Sequence, residues 1–394
     1  MSLDISSAGD ERLGNGANSE MLDAALSAAE VALANRFGAS ITLAEPEDLA
    51  GSGPAVVARV TVDSSPFSLP STLVIKHYPG ARSQPTDPFA AEAASYQLFT
   101  ALPTQDRSCP DLIGHDGKHR VLVLEDLGRA PTLEDKLRVA DSRAAESALL
   151  SWARALGRMH AATATREQDF NALRRRLGAS AADPDDATSS VCQQLPAMLL
   201  EFLGISTSSA MVDVATEATQ RVSSPEFRAF SPVDLSPDNN LVTTNGVRFL
   251  DFEHGCVRNA LIDVAHLRAP FAFWDGSLAL PAGMSEAMIA AWRAEVTGVW
   301  PALDDDEVLG NGLLDSQLLA VWVQTWETLP GLFADPDTGP TSRAAALVSW
   351  WRELARHAQL SRSTEITDHA SAVAESLDQR FGPGLKLAVY EAFR

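Results

Sequence analysis

Cysteine is scarce in this sequence. Of 394 residues only three are cysteines, Cys109, Cys192 and Cys256, odd in number and widely spaced, which excludes a disulfide framework and a C-x-x-C metal site and suits a reducing compartment. Cationic side chains are also few, 31 Lys and Arg against 52 Asp and Glu, for a net charge of −21. A field of that sign repels nucleic acid and anionic membrane surfaces, so neither is expected as a partner. No uncharged apolar run reaches the roughly 18 residues of a membrane span. Residues 1–18 are polar and lack the basic and apolar regions of an export signal. The expectation is a cytoplasmic chain with a flexible start over residues 1–18. No G-x-G-x-x-G follows a strand into a helix, which argues against a dinucleotide-binding dehydrogenase. The eight histidines form no ligand pattern, which argues against a metallohydrolase, and His115 and His119 are expected to be exposed.

What is present divides into two parts. Ser19 is placed to cap a helix running to about Phe37, with Leu22, Ala25, Leu26, Ala29 and Leu33 at helical spacing. Short β-like runs follow at Ile41–Leu43, Val56–Val62 and Thr72–Lys76, then a helix over Pro88–Leu102 and a strand over Val121–Glu125. Beyond Gly128 the pattern turns helical, beginning with Ser142–Thr163 and resuming over Ser285–Val299, Asp315–Leu329, Thr341–Leu360 and Leu385–Phe393. A β-like stretch at Leu241–Asp251, with Asn245-Gly246 between two apolar runs, interrupts the helices as a hairpin. The sequence therefore predicts an α+β protein, with residues 19–128 as a small antiparallel-sheet lobe and residues 129–394 as a larger, mainly helical lobe. Seven of the eight tryptophans lie at or beyond Trp274, where core packing is favoured over a stacking pocket.

The most informative stretch is Phe230-Ser-Pro-Val-Asp-Leu-Ser-Pro-Asp-Asn-Asn-Leu-Val, followed by the hairpin and Phe249-Leu-Asp-Phe-Glu-His-Gly. Asp234 lies five residues before Asn239, and Asp251 lies twelve after it. Phosphoryl transfer needs a carboxylate beside the acceptor hydroxyl and oxygen ligands that hold Mg²⁺ against the β- and γ-phosphates. A D-x-x-x-x-N loop joined by a short hairpin to a second Asp supplies both. In the first part, Leu73-Val-Ile-Lys76 is a buried strand ending in lysine, and Glu92 follows inside a helix. Leu49-Ala-Gly-Ser-Gly-Pro places Gly51, Ser52 and Gly53 before a strand, where backbone N–H groups can approach phosphate, although an ordinary turn reads the same way.

These segments resemble the catalytic loop and metal motif of the aminoglycoside phosphotransferase and choline kinase group, whose usual form is H-G-D-x-H-P-x-N followed by I-D-[WF]-E. The resemblance spans roughly residues 38–268 and implies a two-lobed, protein-kinase-like fold using ATP and Mg²⁺ to phosphorylate a small-molecule hydroxyl acceptor. It implies Asp234 as catalytic base, Asn239 and Asp251 as Mg²⁺ ligands, and Lys76, oriented by Glu92, on the nucleotide phosphates. Val121-Leu-Val-Leu-Glu-Asp-Leu-Gly resembles the interlobe hinge, with the Glu125 carbonyl and the Leu127 N–H toward adenine. Asp263 resembles the Asp that braces the catalytic loop. Two departures stand out: Pro232-Val233 replaces H-G, and Ser236 replaces the second His, whose charge Arg258 is a candidate to supply. The alternative is a catalytically weak nucleotide-binding module. Only eleven residues separate Asp251 from Asp263, too few for the activation segment of a protein kinase. The acidic residues Asp304, Asp305, Asp306, Glu307 and Asp315 suggest an acceptor carrying an amine, or a polyol, among the C-terminal helices.

Overall fold

A computed structural model describes residues 7–50, 53, 55–80, 87–178, 184–272, 276–334 and 342–394. The chain separates into two compact units: residues 1–130 with 169–181 and 252–254, and residues 131–168 with 182–251 and 255–394.

The first unit is built on a five-stranded antiparallel sheet. Its strands are β1 (Thr42–Asp48), β2 (Val56–Ser64), β3 (Thr72–His77), β4 (Leu112–Asp116) and β5 (Val121–Glu125), in the order β1-β2-β3-β5-β4. Helix α1 (Ser7–Phe37) covers one face, burying Ala25, Ala29 and Leu33 with Val60, Leu73, Ile75, Val121 and Val123. Because side chains alternate across a strand, the neighbours of those residues on β3 and β5, Lys76, Leu122 and Leu124, point to the opposite face. On that side helix α2 (Pro88–Thr100) contributes Glu92, which is fully buried. Residues 1–18, expected as a flexible start, are helical from Ser7 onward. Once a helix is nucleated, each further residue adds a backbone hydrogen bond, and Gly14 and Gly16 weaken that propagation by about 1 kcal/mol each without ending it.

In the second unit helices dominate: α3 (Leu133–Arg138), α4 (Ser142–Thr163), α6 (Pro184–Leu203), α7 (Ser209–Val222), α8 (Ala260–Ala265), α9 (Met284–Val296), α10 (Asp306–Ala334), α11 (Ser342–Leu360) and α12 (Thr364–Phe381), while α5 (Glu167–Arg176) spans the division between the units. Trp322, Trp350 and Trp351 fill its core with Leu318, Leu347 and Leu354. Gly157 is required where α4 meets α9, since a Cβ there would lie 2.8 Å from the Trp292 carbonyl oxygen. The expected helix over Leu385–Phe393 is absent: only a 3-10 turn, Glu391–Phe393, forms, after a bridge between Ala279 and Val389. Gly382 and Gly384, at φ 131° and 85°, break the chain away from α12.

Candidate active site

Strand β6 (Arg228–Ser231) pairs antiparallel with β9 (Cys256–Asn259), and β7 (Asn240–Thr243) forms a hairpin with β8 (Gly246–Phe249). Thr244 and Asn245 make the two-residue turn, and Gly246, at φ 107°, opens the return strand. The loops flanking this hairpin carry Asp234, Asn239 and Asp251. Asp234 Oδ2 accepts a 2.8 Å hydrogen bond from Asn239 Nδ2, and its Oδ1 accepts from the backbone and hydroxyl of Ser236. The Leu250 N–H donates to the Asn239 carbonyl at 2.9 Å, bringing the approach to Asp251 alongside the loop.

The two neighbouring asparagines separate by environment. Asn240 is fully buried, accepts from the Leu133 N–H and donates to the Pro237 carbonyl, so it is a fastener of the loop. Asn239 is half-buried and spends its amide NH₂ on Asp234, and among the described residues nothing donates to its Oδ1. That oxygen and the Asp251 carboxylate are hard oxygen donors of the kind that suits Mg²⁺. Among the described residues no cluster of three His, Cys, Asp or Glu side chains makes a metal site by itself.

Asp263 braces the loop from beneath. It is fully buried, with Ser231 Oγ donating to Oδ1 at 2.8 Å, Arg258 donating to the same oxygen, and His160 Nε2 3.1 Å from Oδ2. Trp292 Nε1 donates to His160 Nδ1 at 2.9 Å, which leaves Nε2 as the nitrogen carrying hydrogen toward Asp263. Burial pushes the Asp263 carboxyl upward, but the Arg258 charge and the hydrogen bonds from His160 and Arg258 outweigh it and hold the group well below the usual carboxylate range. Arg258, read as a substitute for the charge lost at Ser236, is engaged with Asp263.

Two residues in this region sit in the left-handed backbone region, Val233 at φ 69° and Asp251 at φ 59°. A β-branched side chain there is strained by on the order of 1–2 kcal/mol. The Ser231 hydroxyl accepts from the Val233 N–H at 3.0 Å and helps hold that conformation.

In the first unit Lys76 Nζ lies 2.9 Å from Glu92 Oε1 in a pair buried on both sides. Glu92 collects two more donors, the Tyr78 hydroxyl on Oε2 and the Phe252 N–H on Oε1 at 3.2 Å. Phe252, the residue after Asp251, is itself buried against Tyr96 and Phe99, with ring centroids 5.1 and 5.6 Å apart. The segment after β5 is pinned by Asp126, which accepts two hydrogen bonds from Arg59, at 2.8 and 3.1 Å. Glu125 ends β5, its N–H donating to the Asp111 carbonyl at 2.9 Å, and among the described residues nothing takes the Leu127 N–H. Of the expected glycine loop, Gly51 and Ser52 lie outside the described residues. Gly53 is exposed, and a Cβ built on it would meet the Glu253 carboxylate at 3.6 Å.

Tyr78 in the first unit, and Ser231, His160 and Trp292 in the second, carry these hydrogen bonds and were not singled out by sequence. The acidic stretch is engaged locally: Asp305 caps α10 through the Glu307 and Val308 N–H groups, Asp306 pairs with Arg293, and Asp315 with Arg221. Five of the tryptophans, Trp152, Trp292, Trp322, Trp350 and Trp351, are core. His115 and His119, expected to be exposed, are half-buried, His119 beside Asp116 at 3.1 Å. Among the described residues no helix is long and apolar enough to cross a membrane.

The second unit thus presents oxygen donors on a braced loop, and the first unit a buried lysine–glutamate pair that also receives the Phe252 N–H. No protein-family model matches the sequence, and no curated protein does. Among solved structures, 43 chains are similar. One is a choline/ethanolamine kinase family protein from Mesorhizobium loti, at 14% identity over 84% of this chain and 93% of that one, with a TM-score of 0.44. The choline kinase LicA from Streptococcus pneumoniae is 13% identical over 82% and 96%, with a TM-score of 0.47. A putative fructosamine-3-kinase from Haemophilus somnus 129PT is 13% identical over 84% and 98%, with a TM-score of 0.44. At TM-scores below 0.5 these likenesses assign nothing to individual residues.

Proposed function

We propose that this protein transfers the γ-phosphoryl group of ATP to a hydroxyl of a small molecule. The observation that carries this reading is the buried Glu92, which receives both Lys76 and the backbone N–H next to Asp251. In this reading Lys76 holds the nucleotide phosphates, with Glu92 fixing its ammonium. The Asn239 side-chain oxygen Oδ1 and the Asp251 carboxylate would hold Mg²⁺, which supplies neutralisation of phosphate charge. Asp234 accepts the proton of the acceptor hydroxyl as that oxygen bonds to phosphorus and ADP departs. Oδ1 of Asp234 already accepts two hydrogen bonds from Ser236, whereas Oδ2 accepts one from Asn239 and keeps a lone pair with which to receive that hydroxyl while Ser236 holds the carboxylate's orientation.

A second reading, a nucleotide-binding module with weak or no transfer, draws on the strain at Val233 and on Ser236, whose hydroxyl lies on Asp234. One experiment separates them. ADP release is followed with Mg·ATP and a panel of amino sugars, amino alcohols, sugars and nucleosides, and the product of any hit is checked by mass spectrometry for one added phosphoryl group. Transfer to one class, abolished by Asp234→Asn, supports the kinase. ATP binding by calorimetry with no transfer supports the module, and absence of ATP binding overturns both.

A further inference from the structure

Away from the residues discussed so far, the second unit holds a cavity of about 450 Å³ beside α9 and α11, a size that accommodates a metabolite. Ala269, Ala272, Leu278, Leu280 and Leu387 give it an apolar wall, and Arg268 gives it a cation. The charges around it are unequally neutralised. Arg356 donates to Glu353 at 2.9 Å through Nε and reaches Glu286 at 3.4 Å, so its charge is matched. Arg268 has no carboxylate partner among the described residues: Nη1 donates to the buried Gln317 Oε1 at 2.9 Å, and the buried Nε has no acceptor.

A buried donor without an acceptor is destabilising by about 1–3 kcal/mol, and an unpaired half-buried guanidinium by more. Arg268 nevertheless lines the cavity, and an anion entering there would give its guanidinium the charged partner it lacks. Burial, and then repulsion from Arg356, lower the Arg268 pKa to about 10, which still leaves it protonated at neutral pH. Gln317 fixes one end of the guanidinium and so orients its remaining donors.

We propose that this cavity binds a small carboxylate with an apolar body, the carboxylate gripped by Arg268 and the body lying on the Ala269, Leu278 and Leu280 wall. Arg is suited to this because its planar fork matches a carboxylate bidentately.

Calorimetric titration of the full chain with 3-phenylpropionate, its uncharged amide 3-phenylpropionamide, and inorganic phosphate tests the assignment. Binding alone is read, so phosphoryl transfer need not occur. The carboxylate is expected to bind, the amide to bind at least tenfold more weakly, and Arg268→Met to lose at least tenfold in carboxylate affinity, with Arg268→Lys between. Ser349→Phe, which narrows the cavity from α11 and leaves Arg268 in the sequence, should abolish binding and serves where Arg268→Met does not fold. Equal affinity for acid and amide, binding unchanged in the variants, or no carboxylate binding overturns the proposal. Phosphate bound more tightly than the carboxylate overturns its ligand class.

Discussion

Ser231 and Asp263 are joined by a 2.8 Å hydrogen bond between fully buried groups, and the same serine hydroxyl accepts from the Val233 N–H. The loop bearing Asp234 is thus suspended from a carboxylate that also neutralises Arg258. Asp263→Ala strands that arginine and should destabilise the fold by about 3–5 kcal/mol, read as a lowered denaturation midpoint. Ser231→Ala should be milder, about 1–3 kcal/mol. Equal stability of Asp263→Ala and wild type would remove Asp263 from this role.

Val233→Gly relieves a strained left-handed residue without removing a hydrogen bond from the loop. It should stabilise the fold by on the order of 1 kcal/mol, less whatever unfolded-state entropy glycine adds. Chemical denaturation measures it, and a fall in stability would mean that the valine side chain packs better than it strains.

The paired asparagines should respond oppositely. Asn240→Ala leaves the Leu133 N–H unmet and removes one of the two donors to the Pro237 carbonyl, the other being the Glu134 N–H, and should destabilise by about 1–3 kcal/mol. Asn239→Ala should leave the melting temperature close to wild type and weaken Mg·ATP binding instead. Thermal unfolding and calorimetry on both variants decide it.

Acid should unfold this protein well before carboxylates are protonated. Burial lowers the pKa of His266 to about 4, with the Arg258 charge adding to it, and that of His369 to about 4; burial with Arg268 and Arg356 brings His357 to about 3. The unfolded chain takes up protons at these positions below its histidine pKa of 6.5, whereas the folded chain does so only near 4 or 3. Stability is therefore fully present above about pH 6.5 and falls as pH descends from there toward 4. Urea midpoints at pH 7.5 and 4.5 should differ, and His369→Gln, which removes a ring packed by Trp322 and Trp351, should flatten the slope. A pH-independent midpoint over that range would refute the assignment.

The α+β pattern was legible because its signals are periodic: β3 and β5 read as apolar runs, α4 as a helical stripe, and the hairpin as Asn-Gly between them. Strands β6 and β9 escaped because four residues carry too little alternation to register. The expected helix at Leu385–Phe393 failed because Ala279 offers a strand partner to Val389, a contact invisible in local sequence. At the candidate site, spacing together with the family resemblance singled out Asp234, Asn239 and Asp251. The bracing residues did not announce themselves, since His160 and Trp292 fall 132 positions apart and each passes for helix core. Val233 was legible as a departure from glycine, but its positive φ was not, because backbone geometry is fixed by the loop and not by the residue that occupies it.

Glu92 and Phe252, 160 positions apart, also bear on how the chain folds as it leaves the ribosome. The first unit includes residues 252–254, so when its sheet and helices α1 and α2 have been synthesised, the buried Glu92 carboxylate still lacks one donor and Tyr96 and Phe99 still lack the ring that packs on them. Non-local contacts of this length close late. Synthesis halted after residue 200 should therefore yield a first unit that is digested by protease faster than it is within the complete chain, and a release from that sensitivity should appear only once Phe252 has emerged.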